Sequence, residues 1–83
     1  MDEWPDWWGW EVELSAHVQI RMVDREFNET DLRLMLADAT GYHSDMVQGR
    51  WLVECRHAGR PWEVIVRPLP NERRLLVITA FPV

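Results

Sequence analysis

Apolar side chains occupy every second position between residues 8 and 14: Trp8, Trp10, Val12 and Leu14. Such alternation predicts a β-strand with one face buried. The residues before it are expected to be irregular, because Pro5 disfavours helical geometry in the residue that precedes it. The chain is therefore expected to enter its fold through a strand that starts at about Trp8.

A helical period replaces the alternation after Ser15, which is a residue type that commonly caps helix N-termini. This first helix is expected to run to about Glu26. Asn28 or Thr30 then caps a second helix, and Gly41 is well placed to end it. The stripe of the second helix that faces the core follows the i, i+3, i+4, i+7 spacing: Leu32, Met35, Leu36 and Ala39.

The alternation returns after Gly49, with six apolar positions that point inward: Trp51, Val53, Cys55, Trp62, Val64 and Val66. A break over residues 58–61 predicts a four-residue loop, which sets Arg56 opposite Glu63 and Cys55 opposite Val64. A second break covers residues 70–73. Residues 74–81 are then apolar on both faces, which favours a central strand. Residues 42–47 fit either a loop or a short strand.

The predicted order is thus strand, helix, helix and three strands. With 83 residues the chain has room for one domain, spanning residues 1–83. A domain of this size leaves little space for a deep cavity, so a functional site is expected to be a shallow groove where a helix meets the sheet.

The net charge of −5 argues against a simple nucleic-acid binder, but the charge is unevenly distributed. Residues 1–15 hold five acids and no base, whereas nine arginines balance nine acids in the rest of the chain. Residues 50–83 carry six arginines against three glutamates, which favours a modestly basic surface there. The N-terminus lacks the positive charge of a signal peptide, and the longest apolar run, residues 75–78, is far too short to span a membrane. A cytoplasmic protein with no membrane contact is expected.

The residues best suited to chemistry are His17, Arg21 and Arg25, which share one stripe of the first helix. A histidine exchanges protons near neutral pH, and arginine holds a phosphate through forked donors. Arg56 and Arg67 on the strands are candidates to track a nucleic-acid backbone. The alternative is that His17 is an ordinary surface residue and that the arginines pair with carboxylates, with Asp24 for Arg21 and Glu63 for Arg56.

Metal and cofactor sites are not predicted. The three histidines and Cys55 lack the local spacings that bring metal ligands together, and the chain has no Gly-rich phosphate loop. Cys55, which is the one cysteine, is expected to be a small buried hydrophobic residue.

The acidic segment 1–9 is rich in tryptophan, and Trp4, Trp7 and Trp8 are candidates for partner binding. The partner would be a second copy of the chain, giving a homodimer through this segment, or an antitoxin-like protein. Alternatively, Trp8 enters the sheet while Trp4 and Trp7 fold back over a core that a chain of this size cannot close alone.

The run His17-x3-Arg21-Met22-x2-Arg25, the Gly-Arg-Pro turn at residues 59–61 and the closing Val-Ile-Thr-Ala-Phe-Pro strand resemble a small uncharacterised bacterial domain family. That family is related to the BrnT and RelE types of toxin in toxin–antitoxin systems. The similarity extends from about Val12 to Pro82. It implies an α+β fold in which two N-terminal helices pack on one face of an antiparallel sheet of three to four strands.

The resemblance also implies a metal-independent endoribonuclease. His17, Arg21 and Arg25 match the family's helix motif, and Thr79 matches a polar residue of its last strand. The sequence therefore favours a toxin-like domain that binds or cleaves RNA, with His17, Arg21 and Thr79 as catalytic residues. The competing hypothesis is a non-catalytic protein-interaction module that uses the tryptophan-rich surface.

Overall fold

The sheet of this protein is completed by pairing its first strand with its last. In the computed structural model, which describes residues 4–83, strand β1 (Glu11–Leu14) pairs in parallel with β5 (Arg74–Pro82). The other strands are β2 (Gly41–Ser44), β3 (Trp51–His57) and β4 (Arg60–Leu69). Their order across the sheet is β1-β5-β4-β3-β2, and every pairing except that of β1 with β5 is antiparallel.

The described residues therefore form a small α+β domain with two helices and a five-stranded mixed sheet. The predicted fold, two N-terminal helices on an antiparallel sheet of three to four strands, is wrong. Residues 41–44 add a strand, and β1 precedes both helices and runs parallel to β5. An alternating pattern identifies a strand, but its partner and direction depend on packing between distant parts of the chain.

Both helices begin at the caps that the sequence indicates. Helix α1 (Ala16–Asp24) follows Ser15, whose Oγ accepts a hydrogen bond from the Val18 N–H at 3.0 Å. Helix α2 (Glu29–Ala37) follows Asn28, which forms a reciprocal capping box with Asp31. Both helices end earlier than predicted, and Gly41 opens β2 instead of ending α2.

The N-terminal strand is shorter than predicted. A 3₁₀ helix (Asp6–Gly9) occupies the region where the strand was expected to start, and the Trp10 N–H donates to the Trp7 carbonyl at 3.1 Å. This turn directs Trp7 into the core, where 8% of its surface is exposed. Trp8 and Trp10 are half-buried and pack against the same core.

The hairpin of β3 and β4 has a two-residue turn in place of the predicted four-residue loop. Ala58 and Gly59 both have positive φ angles, 54° and 77°, as a type I′ turn requires. Cys55 consequently lies opposite Trp62. The register differs from the predicted one by two residues, so each side chain still points to the predicted face of the sheet.

The hydrophobic core lies between the two helices and one face of the sheet, which we call the helix-covered face. Its buried residues are Trp7, Val18, Phe27, Leu32, Met35, Leu36, Val53, Cys55, Trp62, Val64, Val66, Leu75, Val77 and Ala80. None of these comes from the opposite face, which we call the open face. The strand register gives the open face the intervening positions, among them Leu52, Glu54, Arg56, Pro61, Glu63, Ile65, Arg67, Leu76, Thr79 and Phe81.

Leu32 and Leu34 provide a matched test of this core, because they are two residues apart in α2 but only Leu32 is buried (0% against 58% exposed). Leu32→Ala is expected to lower the free energy of unfolding by about 3 kcal/mol through lost burial and a residual cavity. Leu34→Ala is expected to change it by less than about 0.5 kcal/mol. Urea denaturation followed by tryptophan fluorescence measures both values, and equal losses would contradict this placement of α2.

Candidate functional site

Helix α1 lies against a part of β5 that has β4 on its inner side but no strand on its outer side. β1 pairs only with residues 74–77, so the outer edge of β5 beyond them needs other hydrogen-bond partners. Ser15 Oγ donates to the Ile78 carbonyl at 2.9 Å, and Arg25 Nη1 donates to the Ala80 carbonyl at 2.9 Å. These two side chains hold both ends of α1 to the sheet edge.

Thr79 lies between the two carbonyls that α1 binds. It is opposite Ile65 in the register of β4 and β5, so its side chain belongs to the open face. His17 and Arg21 lie on α1, in the helix layer. The structure thus brings the segments that carry the three predicted catalytic residues to one sheet edge, with Thr79 facing the other side of the sheet.

The side chains of the predicted His17–Arg21 stripe differ in their surroundings. His17 is exposed. Arg21 is 32% exposed, and its Nη1 donates to Asp24 Oδ2 at 3.0 Å, which confirms the alternative interpretation of Arg21 as the partner of Asp24. Arg21 Nε is buried without a hydrogen-bond partner, which is uncommon in folded proteins. The guanidinium therefore keeps one unsatisfied donor.

Arg25 and Arg56, both predicted to contact RNA, donate hydrogen bonds within the chain. Arg25 binds the edge of β5, as described above. Arg56 is exposed, and its Nη2 donates to the Gly59 carbonyl at 2.7 Å, across the β3–β4 turn. Arg56 lies opposite Pro61, so the predicted cross-strand pair of Arg56 with Glu63 is wrong, because it assumed the longer loop.

Arg67, the third predicted RNA contact, is half-buried on the open face. Its guanidinium reaches the loop between β2 and β3, where a Cβ on Gly49 would lie 3.2 Å from Arg67 Nη1. Gly49 also has a φ angle of 87°, so both its conformation and the nearness of Arg67 favour glycine there. Among residues 4–83, Arg67 has no carboxylate within ion-pair distance.

The tryptophans predicted to bind a partner pack against one another and against the sheet. Trp4 stacks on Trp8 with 4.5 Å between ring centroids and contacts Tyr42 at 5.1 Å. Trp7 contacts Trp51 at 5.8 Å and is a core residue, so its side chain is not available to a partner. Trp4 and Trp8 keep some exposed surface. Residues 1–3 of the same acidic segment lie outside the described residues.

Cys55 is a buried hydrophobic residue, as expected. It is 3% exposed, and its Sγ lies 3.6 Å from the Trp62 carbonyl. Burial, with a smaller contribution from the charge of Glu63, raises the pKa of the Cys55 thiol to about 11. The thiol is therefore protonated at neutral pH and unsuited to nucleophilic catalysis.

Two shallow grooves mark the surface of the described residues, and neither contains His17, Arg21 or Thr79. One, of about 180 Å³, lies between α2 and Trp8 and has an apolar lining with Arg33 at its rim. The other, of about 280 Å³, lies at the end of the sheet that holds Arg56, Glu63 and Val83.

Within residues 4–83 no three His, Cys, Asp or Glu side chains are grouped to hold a metal ion. No helix in that part of the chain is long and apolar enough to cross a bilayer.

Comparison with known proteins does not assign the chain to a family. No family model matches it, and searches of curated proteins and of solved structures found no significant match. The resemblance to the BrnT- and RelE-related domains therefore depends on the residues quoted for it above.

Replacing Arg25 tests its role in holding α1 to the sheet. Arg25→Ala is expected to lower the free energy of unfolding by about 1 to 2 kcal/mol, because the Ala80 carbonyl loses a charged donor. Arg60→Ala, at an exposed position of β4, is the control and is expected to cost less than about 0.5 kcal/mol. Chemical denaturation measures both, and an equal effect would contradict a structural role for the Arg25 hydrogen bond.

The raised pKa of Cys55 predicts a loss of stability in alkaline solution. Between its usual value of 9.0 and about 11, the thiol ionises in the unfolded chain but stays protonated in the folded one. Ionisation therefore favours unfolding as the pH rises through this interval. Urea denaturation at pH 8, 9 and 10 should show a steeper loss for the native sequence than for Cys55→Ala. Parallel losses would show that burial does not perturb this thiol.

Proposed function

We propose that this chain is a toxin-like domain that binds or cleaves RNA without a metal ion. The observation that supports the proposal best is the attachment of α1 to β5 on both sides of Thr79, through Ser15 and Arg25. The helix that carries His17 and Arg21 is thereby fixed beside the strand that carries Thr79. Rigid elements of this kind hold a reactive geometry better than loops do.

RNA cleavage without a metal needs three contributions from side chains. A base takes the proton of the 2′-hydroxyl, cationic donors stabilise the charge that builds on the phosphate, and an acid protonates the leaving 5′-oxygen. His17 is exposed and is the proposed proton-transfer group. Arg21 is the proposed phosphate clamp. Thr79 has no role at this phosphate, because its side chain lies on the open face, across the sheet from α1.

The ion pair of Arg21 with Asp24 does not prevent this role. Both side chains are partly exposed, at 32% and 52%, and such pairs contribute at most about 1 kcal/mol. A phosphate that accepts two guanidinium hydrogen bonds competes with a single carboxylate contact. Substrate binding would then replace Asp24 as the partner of Arg21.

The same proposal includes an antitoxin-like protein as partner. Ile20 on α1 is 55% exposed and lies within one helical turn of both His17 and Arg21. A protein that covers this apolar side chain would also approach the proposed site. A small reading frame beside the gene, whose product restores growth when co-expressed, would support this part of the proposal.

The proposal is tested by inducing the chain in bacteria and by incubating the purified protein with single-stranded RNA in EDTA. The native sequence is expected to slow growth and to shorten RNA. His17→Ala and Arg21→Ala should reduce the cleavage rate by roughly 100-fold or more, because each removes a contribution to the transition state.

His43→Ala is the matched control, because His43 is also an exposed histidine but lies on β2, away from α1. It is expected to keep the activity of the native sequence. If the native sequence neither slows growth, nor cuts RNA, nor binds it, the proposal is refuted. If the two histidine variants lose activity equally, His17 has no special role.

A further inference from the structure

On the open face, the charges next to a central row differ in sign on its two sides, with arginines on one side and glutamates on the other, and Arg56 lies one position beyond the glutamates. The row crosses three strands and consists of Leu52, Ile65 and Thr79, which are neighbours in the register. Ile65 is only 7% exposed, although the core cluster does not include it. Leu52 and Thr79 are half-buried. The row is therefore a narrow strip with little exposed apolar area, and what distinguishes this face is the arrangement of charges beside the strip.

Two arginines lie side by side on one side of the apolar row. The register of β3 and β4 ends at the pair of Trp51 with Val66, and extending it by one residue sets Arg50, which directly precedes β3, opposite Arg67. Neither has a carboxylate within ion-pair distance among residues 4–83. Arg50 Nε is buried without a hydrogen-bond partner. The backbones of Asp45 and Arg50 are in contact, since the Asp45 N–H donates to the Arg50 carbonyl. The Asp45 carboxylate, however, accepts a hydrogen bond from the Val47 N–H and forms no ion pair with Arg50.

Two glutamates lie side by side on the other side of the row. Glu54 is directly opposite Glu63 in the register, and like charges so placed repel each other. His43 is 3.5 Å from Glu54 and gives partial relief only when protonated. The Glu54 carboxylate lies close over Gly41, where a Cβ would be 3.2 Å from its Oε1. Glu54 lies on β3, Glu63 and Arg67 lie on β4, and Arg50 directly precedes β3.

We infer that the open face is a self-complementary surface through which two copies of this chain dimerise. Consider a two-fold axis that lies in the interface and runs along the apolar row. Rotation about this axis brings the open faces of the two copies together. Each strand of one copy then lies over the same strand of the other copy and runs in the opposite direction. The Arg50–Arg67 pair of each copy then faces the Glu54–Glu63 pair of the other, and the apolar rows meet on the axis. Such an isologous contact closes at two subunits.

The geometry fits ordinary sheet packing. Each charged pair is two residues from the axis, or about 7 Å, so both stay over their counterparts when aligned sheets twist by roughly 30°. Charges arranged in this way specify orientation more than they add affinity. A face of roughly 20 Å by 20 Å buries about 400 Å² per copy, half of a standard interface. The dimer should therefore be weak, with a dissociation constant on the order of tens of micromolar.

This inference stands whether or not the chain acts on RNA, but it has a consequence for the proposed function. The dimer covers Thr79 and Arg67, so RNA and a second copy compete for the same face. Concentrated protein would then be the inactive form. Added single-stranded RNA should shift the dimer toward monomer if the proposed function is also right, and should leave it unchanged if only the dimer exists.

Charge-reversal variants test the arrangement by sedimentation velocity between about 5 and 500 µM. The first variant combines Arg50→Glu with Arg67→Glu, and the second combines Glu54→Arg with Glu63→Arg. Each is expected to be monomeric over the whole range, because each of the four proposed charge contacts across the axis becomes repulsive. An equimolar mixture of the two is expected to dimerise, because each arginine pair again meets a glutamate pair. The variant with all four changes should dimerise alone.

Each double variant replaces one like-charged cross-strand pair by another, so the repulsion within that pair is still present in the folded monomer. Circular dichroism verifies that each variant folds. A native chain that is monomeric at about 500 µM overturns the inference. So does a dimer that persists in either double variant, or a mixture that stays monomeric while the native chain dimerises. A first variant that loses RNA binding while the native chain is monomeric would assign this face to nucleic acid.

Discussion

The parallel pairing of β1 with β5 is the constraint on which the rest of the structure depends. It joins residues 11–14 to residues 74–77 and so ties the two ends of the chain together. The Ser15 N–H continues this contact by donating to the Val77 carbonyl at 3.1 Å, at the point where α1 begins. Because β1 is only four residues long, the outer edge of β5 beyond residue 77 is left for α1. The short strand thus sets where the helix attaches.

In this small domain, polar side chains both cap helix α1 and attach it to the sheet edge. Ser15 caps α1 and also binds the sheet edge, while Arg25 binds the same edge from the other end of the helix. Such residues look like candidates for chemistry in the sequence, because a helical stripe of basic side chains is common to phosphate binding and to edge protection. Arg25 and Arg21 differ in the group that accepts their hydrogen bond. Arg25 has a backbone carbonyl, whereas Arg21 has only an exposed carboxylate and keeps an unsatisfied donor.

The sequence predicted local features well and long-range ones poorly. Ser15 and Asn28 as caps and the inward positions of β3 and β4 are confirmed, since each depends on neighbours along the chain or on simple alternation. The last strand was predicted to be central; it is second in the sheet and has a strand on both sides only over residues 74–77. The mixed sheet was missed because direction and partner are properties of the packed molecule. The segments of the candidate site do meet, but no sequence pattern showed that Thr79 faces away from the helices.

The predicted length of the turn between β3 and β4 was wrong, and this error concealed which charged residues lie opposite each other on the open face. With the four-residue loop, Glu54 would lie opposite Ile65 and Arg67 opposite Leu52, so no like-charged pair would form. With the two-residue turn at Ala58 and Gly59, Glu54 meets Glu63 and the register brings Arg50 to Arg67. Each like-charged pair costs the folded monomer roughly 0.2 to 1 kcal/mol. The stability of the single chain does not account for two such pairs of opposite sign on one face, and the proposed dimer would place each pair opposite the other.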